Sequence, residues 1–208
     1  MNWRKLKKVI KPSRIIFLIV LISANTLAWF IYATKVNTDI SIHVKAWNIV
    51  FESGQTQVTN TVNLNVDSIY PGMDDYEYEL SVYNHSEVSA TMTYTILEAR
   101  ILNDNYITVE GRAERGEQTQ SGDLTSAALQ TQLEDDYPFS ISIDISNSSL
   151  GSQNGQETFT VSIVWPYESN QDALDTQWGI DAYDYKVLHP TAATINIKVK
   201  IYVTQNPN

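Results

Sequence analysis

The feature that most constrains this fold is an almost faultless two-residue alternation of apolar and polar side chains in the second half of the chain. Three segments show it: residues 139–145, 159–165 and 195–203. Successive side chains of a β-strand point to opposite faces, so a period of two predicts a strand with one buried and one exposed face. The three segments therefore predict antiparallel strands that pack one face on a core.

The same alternation occupies five earlier segments, residues 40–51, 58–66, 76–82, 90–96 and 101–109. The segment Tyr-Pro-Gly at 70–72 predicts a turn, because proline fixes φ and glycine permits positive φ. A short polar link, Asn-His-Ser at 84–86, joins two of the alternating segments and predicts that they form a hairpin.

Two segments with helical spacing interrupt the strands. Residues 121–136 predict a helix with Ser121 or Asp123 as its N-cap, and residues 175–188 predict a helix that Asp175 caps. Between the strands and the first helix, the Gly-rich residues 111–122 predict a mobile loop. About eight strands with two short helical insertions predict an all-β fold, most simply a jelly-roll-like antiparallel β-sandwich over residues 36–208.

A hydrophobic segment without charge, residues 15–34, precedes this domain. As a helix, its twenty residues would be long enough to cross a hydrocarbon core of about 30 Å. Residues 1–14 contain six Lys or Arg and no acid, so this basic n-region is predicted to lie in the cytoplasm and residues 36–208 outside it. The chain is therefore predicted to be exported, with its domain extracellular or at the cell surface.

The hydrophobic segment fits two descriptions, a cleaved signal peptide and an uncleaved transmembrane anchor. Cleavage after Ala28 would place Thr26 at the −3 position, and cleavage after Ala33 would place Ile31 there. In both cases the membrane contact of the protein is made through residues 15–34.

The composition of residues 36–208 argues against nucleic acid as a partner and against any chemistry of cysteine. From Val36 onward the chain has seven Lys or Arg and all twenty-four Asp and Glu, a net charge of −17. A domain of this charge is not expected to bind nucleic acid, whose phosphates require basic side chains. The absence of cysteine also excludes disulfides, thiolate nucleophiles and cysteine zinc sites.

The sequence offers no set of residues for catalysis. His43, His85 and His189 have no second histidine at metal-ligand spacing, and neither a nucleophile elbow nor a phosphate-binding Gly-rich loop is present. We therefore expect a protein that is not an enzyme and that needs no cofactor.

Two weaker hypotheses concern ligands. Asp172, Asp175, Asp181 and Asp184 could supply oxygens to a structural calcium ion, although solvated acidic residues are the commoner outcome. Trp178 and Tyr183 could form an aromatic platform for carbohydrate, although aromatic residues of this kind usually belong to a core.

Several segments between residues 20 and 100 resemble the camelysin/TasA-like surface and biofilm-matrix fibre proteins of Gram-positive bacteria. They are Ala-Trp-Phe at 28–30, Ile-Tyr-Pro-Gly at 69–72, the alternating segment 78–84 that ends in Asn84, and the segment 90–94. The resemblance implies a jelly-roll subunit that is exported and assembles into extracellular fibres by donor-strand exchange.

In such an exchange, an extended N-terminal segment adds to the incomplete sheet of the next subunit. Ile40, Ile42 and Val44 would then be the inserted face. Pairing of this strand within its own domain is the default alternative. The predicted partners are other copies of the chain in a fibre, or other surface proteins. The competing function is a monomeric membrane-anchored adhesin or binding module.

Overall fold

The computed structural model describes residues 13, 16–17, 19–24 and 47–206. The described residues form ten strands: β1 (Ile49–Ser53), β2 (Thr56–Gln57), β3 (Thr61–Val66), β4 (Tyr76–Asn84), β5 (Ala90–Ile101), β6 (Asp104–Ile107), β7 (Ser140–Ile145), β8 (Ser149–Leu150), β9 (Gly155–Val164) and β10 (Ile195–Gln205). Residues 47–206 also form three helices: α1 (Val109–Glu114), α2 (Ser126–Asp135) and α3 (Asp172–Leu188).

The strands build two antiparallel sheets. The first has the order β2-β1-β4-β9-β7, and the second has the order β3-β10-β5-β6, with β8 paired to β5. The prediction of a mostly β fold with antiparallel sheets is confirmed. The number of strands exceeds the predicted eight because β2 and β8 have only two residues each, which is too short for an alternating pattern to be visible.

One hydrophobic core lies under both sheets. It combines Leu80, Phe159 and Ile163 of the first sheet with Leu64 and Ile197 of the second, and all five side chains are buried. The buried positions alternate along β9 and β10 as predicted. Burial of apolar area in a core of this kind is the main stabilising term of the fold, at about 25 cal/mol per Å².

The predicted hairpin between the segments that became β4 and β5 is wrong. β4 pairs with β1 and β9 in the first sheet, whereas β5 belongs to the second sheet. The link at 84–86 crosses between the sheets because the fully buried Asn84 fixes its path. The Asn84 side chain donates to the carbonyls of Val88 and Gly151, at 2.9 and 2.8 Å, and accepts from the Ser86 N–H.

Asn84→Ala is expected to lower the free energy of unfolding by roughly 2–4 kcal/mol, because the buried Val88 carbonyl and the buried Ser86 N–H lose their partner, as does the more exposed Gly151 carbonyl. Chemical denaturation followed by circular dichroism measures this change. The control is Glu87→Ala, an exposed position in the same crossing segment, for which we expect a change within about 0.5 kcal/mol. Equal effects of the two substitutions would contradict this role of Asn84.

The helices differ from their predicted bounds. α2 begins after Thr125, whose hydroxyl accepts from the Ala128 N–H at 3.2 Å, so neither Ser121 nor Asp123 is its N-cap. α3 begins after Gln171, so Asp175 lies inside the helix and is not its cap. α1 was not predicted, and it occupies the start of the segment predicted as a mobile loop.

Gly111 explains why the sequence predicted a loop where α1 forms. Gly111 lies against β5, where a Cβ atom would come within 2.0 Å of the Leu97 carbonyl oxygen. A residue that marks a loop in sequence is therefore required here for close packing of a helix on a strand.

The chain divides into two compact units, Met1–Val44 and Lys45–Asn208. In the first unit, Ser13, Ile16, Phe17 and residues 19–24 are helical, with exposed side chains. Within the part of the chain that the structure describes, no helix combines the length and the apolar content needed to cross a membrane. Residues 25–34 lie outside the described residues, so a hydrophobic helix over 15–34 stays a prediction.

Candidate functional site

The second sheet has an incomplete edge where β10 continues beyond its neighbour. β10 pairs with β5 along its whole length, from Ile195 to Gln205. On its other side it pairs with β3 only as far as Lys200. No strand among the described residues pairs with residues 202–205 on that side, so within this part of the chain the last residues of β10 form an unpaired strand edge, the kind of edge to which a strand can add.

Asn60 ends the ladder between β3 and β10. Its carbonyl oxygen accepts from the Ile201 N–H at 2.8 Å, and its side-chain amide donates to the Ile201 carbonyl at 3.1 Å. The preceding Thr59 hydroxyl donates to the Thr61 carbonyl. The pairing of β10 with β3 thus ends at Ile201, where the last contact is made by the Asn60 side chain.

The hydrogen bonds of β10 show which of its residues direct their N–H and C=O groups toward the open side. The Ile201 N–H points toward β3, whereas the Asn206 N–H points toward the opposite neighbour and donates to Ser89. Because backbone groups alternate in direction along a strand, Val203 and Gln205 direct their N–H and C=O groups to the open side. The edge therefore offers two donors and two acceptors to an incoming strand.

An apolar groove lies beside this edge. Its volume is about 450 Å³. The groove is lined by residues of three segments, Trp47, Ile49, Phe51, Thr59, Asn60, Ile201, Tyr202 and Val203. Trp47 is 44% exposed, and Ile49, Phe51 and Val203 are half-buried. Apolar side chains beside an unpaired strand edge are what an added strand with alternating apolar residues requires.

β1 forms the other wall of the groove. The Phe51 carbonyl accepts from the Val58 N–H, so Ile49, two residues earlier, directs its backbone groups to the same side. β2 pairs with β1 at Glu52 and Ser53, and Val58 already satisfies the Phe51 carbonyl, so it is the backbone of Ile49 that has no partner on this side among the described residues. The groove therefore lies between the open edges of both sheets, with hydrogen-bonding groups on each wall.

The four aspartates suggested for calcium all lie on α3, and they are not brought together. Asp175 is buried, and its carboxylate accepts from the Trp165 indole N–H at 2.8 Å and from the Ser169 hydroxyl. Asp181 instead accepts from Gln177 at 2.9 Å. Asp184 lines one cavity with Asp181, whereas Asp172 lies at the start of the helix. No three acidic or histidine residues within the described part of the chain are placed to hold a metal ion.

Trp178 and Tyr183 do not form an aromatic platform. Trp178 packs edge-on against Tyr137 and Phe139, with ring centroids 5.2 and 5.8 Å apart. Tyr183 is exposed. Five residues of helix separate the two by about 140°, so their rings face different directions.

The tyrosines near Trp178 are structural. Burial raises the pKa of the Tyr137 hydroxyl well above its ordinary value, and its hydrogen bond to Tyr106 acts in the same direction. The hydroxyl therefore stays protonated at all physiological pH values. It acts as a donor in the packing of β6 against the segment that precedes β7.

The remaining site residues predicted from the sequence lie outside the described residues. They are the predicted assembly-strand residues Ile40, Ile42 and Val44 and the processing positions Ala28 and Ala33. Trp47 and Val203 were not predicted as site residues, because their role depends on where β3 ends. The sequence gives no signal of this difference, because the two alternating segments, 58–66 and 195–203, have equal length. In the structure β3 has six residues and β10 has eleven.

Comparison of the chain with protein-family models, with curated proteins and with solved structures gave no match.

Proposed function

We propose that this protein is a non-enzymatic, exported structural subunit that assembles into extracellular fibres of the biofilm-matrix type by strand exchange. The observation that carries the proposal is the groove between β1 and β10. It combines an unpaired strand edge with an apolar lining, and an added β-strand uses both. In this proposal the two sheets form a jelly-roll-like sandwich that one strand from a neighbour completes.

The proposed occupant is the segment 40–46 of a second copy. It alternates apolar and polar residues, with Ile40, Ile42, Val44 and Ala46 in one phase, so one face can fill the groove while the backbone pairs with Val203 and Gln205. Seven extended residues span roughly 23 Å, which is long enough to follow the five residues from Ile201 to Gln205.

The N-terminal sequence supports export of this subunit. The basic residues 1–14 and the hydrophobic segment 15–34 match the order of a signal peptide. Removal of this segment would free residues 36–46 to pass to a neighbour. The resemblance of residues 20–100 to camelysin/TasA-like proteins points to the same function.

The test is the fate of the full-length chain expressed in a Gram-positive host with its own N-terminal segment. We expect mass spectrometry to find a mature N-terminus after Ala28 or Ala33, and negative-stain microscopy to find filaments outside the cells. A chain with intact Met1, held in the membrane fraction as a monomer, would contradict the proposal. That result would favour the adhesin or binding module instead.

A further inference from the structure

One end of the groove lies where the segment 58–60 joins its two walls. The Val58 N–H donates to the Phe51 carbonyl at 2.9 Å, and the Asn60 carbonyl accepts from the Ile201 N–H at 2.8 Å. Phe51 of β1 and Ile201 of β10 therefore mark the same end. Beyond Asn60, the position beside β10 is taken by β3. This end of the groove is closed.

The segment 85–89 marks the other end of the groove. The Asn48 carbonyl accepts from the His85 N–H at 2.9 Å, and the Asn206 N–H donates to the Ser89 carbonyl at 3.0 Å. The start of β1 and the end of β10 therefore lie together at this end, so the two strands run antiparallel across the groove. Within the described part of the chain, no strand follows β3 along β10 toward this end, so this end is open.

The chain enters its folded domain at the open end. The Asn48 N–H donates to the Ser86 hydroxyl at 2.7 Å, and the Ser86 hydroxyl donates to the Asn48 carbonyl at 3.3 Å. Asn48 is thus held through both backbone groups, and only Trp47 separates it from the donor segment, residues 40–46. A fully extended chain from Val44 to Asn48 spans about 14 Å. A donated segment is therefore on a short tether to its own folded domain.

We propose that the groove accepts the donor segment of a second copy in one direction only, parallel to β10 and antiparallel to β1. This inference rests on the proposed function, because it describes strand exchange at the same groove. The N-terminal end of the segment lies beside Asn60 at the closed end, and its C-terminal end leaves beside Gln205 at the open end. In this register the residues that lie side by side are Ile40 and Ile201, Ile42 and Val203, and Val44 and Gln205.

The short tether excludes the reverse direction. If the segment ran antiparallel to β10, Val44 would lie beside Ile201, and Asn48 of the donor copy would be held within about 14 Å of the closed end. β3 extends about 20 Å along β10 from that end, so the folded domain of the donor would collide with β3 of the receiving copy. In the proposed direction only the residues before Ile40 meet the closed end. A single chain can turn out of the groove there, where a folded domain cannot pass.

Both walls of the groove carry backbone groups for a strand in this direction. Val203 and Gln205 direct theirs into the groove from β10, and Ile49 does so from β1. A strand that is parallel to β10 is antiparallel to β1, so it can form both kinds of ladder at once. Parallel pairing is slightly less stable per residue, and the hydrogen bonds to Ile49 offset this difference.

Cysteine pairs test the direction in the full-length secreted protein, because the chain has no cysteine of its own. Two differently tagged chains are co-expressed, one with Gln205→Cys and the other with Val44→Cys. We expect a mixed disulfide after mild oxidation, since the proposed direction places the two Cα atoms about 5 Å apart. The matched control is Ile40→Cys in place of Val44→Cys. The proposed direction places Ile40 roughly 14 Å from Gln205, beyond the range of a disulfide.

The outcomes separate this inference from the proposed function. A mixed disulfide between Ile40→Cys and Gln205→Cys, with or without one from Val44→Cys, would overturn the direction and leave strand exchange standing. The direction would also be overturned if neither pair crosslinks while Ile42→Cys and Val203→Cys form a mixed disulfide. If none of the three combinations crosslinks, the proposed function fails as well.

A longer tether tests why the direction is fixed. Insertion of about eight Gly and Ser residues between Ala46 and Trp47 adds about 28 Å at full extension, which exceeds the length of β3. We expect Ile40→Cys and Gln205→Cys to form a mixed disulfide in this variant, in addition to the one from Val44→Cys. Crosslinking that stays confined to Val44→Cys would overturn the tether as the cause of the direction.

Discussion

Val203→Asp is expected to abolish filaments while the subunit stays folded. In the isolated subunit the Val203 side chain is half-buried in the open groove, so a carboxylate there keeps access to water. A donated strand would cover it and leave a buried charge without a partner, at a cost of about 3 kcal/mol or more. The concentration at which filaments form should rise at least ~100-fold. Sedimentation and negative-stain microscopy measure this change.

The matched control is Thr204→Asp, one residue farther along β10. Its side chain is exposed and points to the opposite face of the sheet. It adds the same charge to the same strand, so a general effect of charge would appear in both variants. We expect normal filaments from Thr204→Asp, and equal loss in the two variants would contradict a role for the groove.

The second large effect on filament assembly is expected for a substitution in the donor segment, residues 40–46. Ile42→Asp should prevent assembly as strongly as Val203→Asp, because it removes an apolar side chain worth about 2 kcal/mol on burial and introduces a charge. Ser41→Asp, on the opposite phase of the same segment, should leave assembly nearly unchanged. The quantity measured is the fraction of secreted protein that sediments as filaments.

Mixing the two defective variants tests whether donor and acceptor are separate sites. An Ile42→Asp chain keeps an intact groove, and a Val203→Asp chain keeps an intact donor segment. Together they can form one complete contact for each pair of chains, so we expect mixed dimers that neither variant forms alone. If mixing gives only monomers, the two residues do not act on opposite sides of one contact.

The two-residue period predicted the individual strands well and their partners poorly. β7, β9 and β10 fall within a few residues of their predicted segments, because one face of each packs on the core. The hairpin between β4 and β5 was wrong because Asn84, a polar residue that marks a turn in sequence, is fully buried and directs the chain to the other sheet. Hydrogen bonds to carbonyls 4 and 67 residues away leave no local pattern.

For the helices too, the local sequence pattern predicted that the elements exist, whereas their first residues depend on tertiary contacts. The helical spacing of α2 and α3 was visible, but Thr125 and Gln171 precede them in place of the predicted caps. Asp175 looked like a cap in sequence, and in the fold it accepts the indole N–H of the buried Trp165. A carboxylate that can cap a helix can equally pair with a buried donor, and only the packing decides between the two.

The groove could not be predicted because it depends on where a neighbouring strand ends. The alternating pattern of β10 continues to Val203, but only the pairing of Lys200 with Thr61 and the contact of Asn60 with Ile201 show that its last residues have an open side. The donor segment was predicted from its own pattern, whereas its receptor arises from tertiary structure.

The most direct measurement of the central claim is a disulfide between the donor segment of one chain and the groove of another. Ile42→Cys and Val203→Cys chains with different tags are co-expressed at full length in a host that secretes them, and secreted material is oxidised mildly and separated without reductant. We predict a crosslinked pair that carries both tags, and none with Ser41→Cys in place of Ile42→Cys. Strand exchange between subunits would be contradicted if the two tagged chains form no mixed pair while a single chain that carries both Ile42→Cys and Val203→Cys forms a disulfide only within itself.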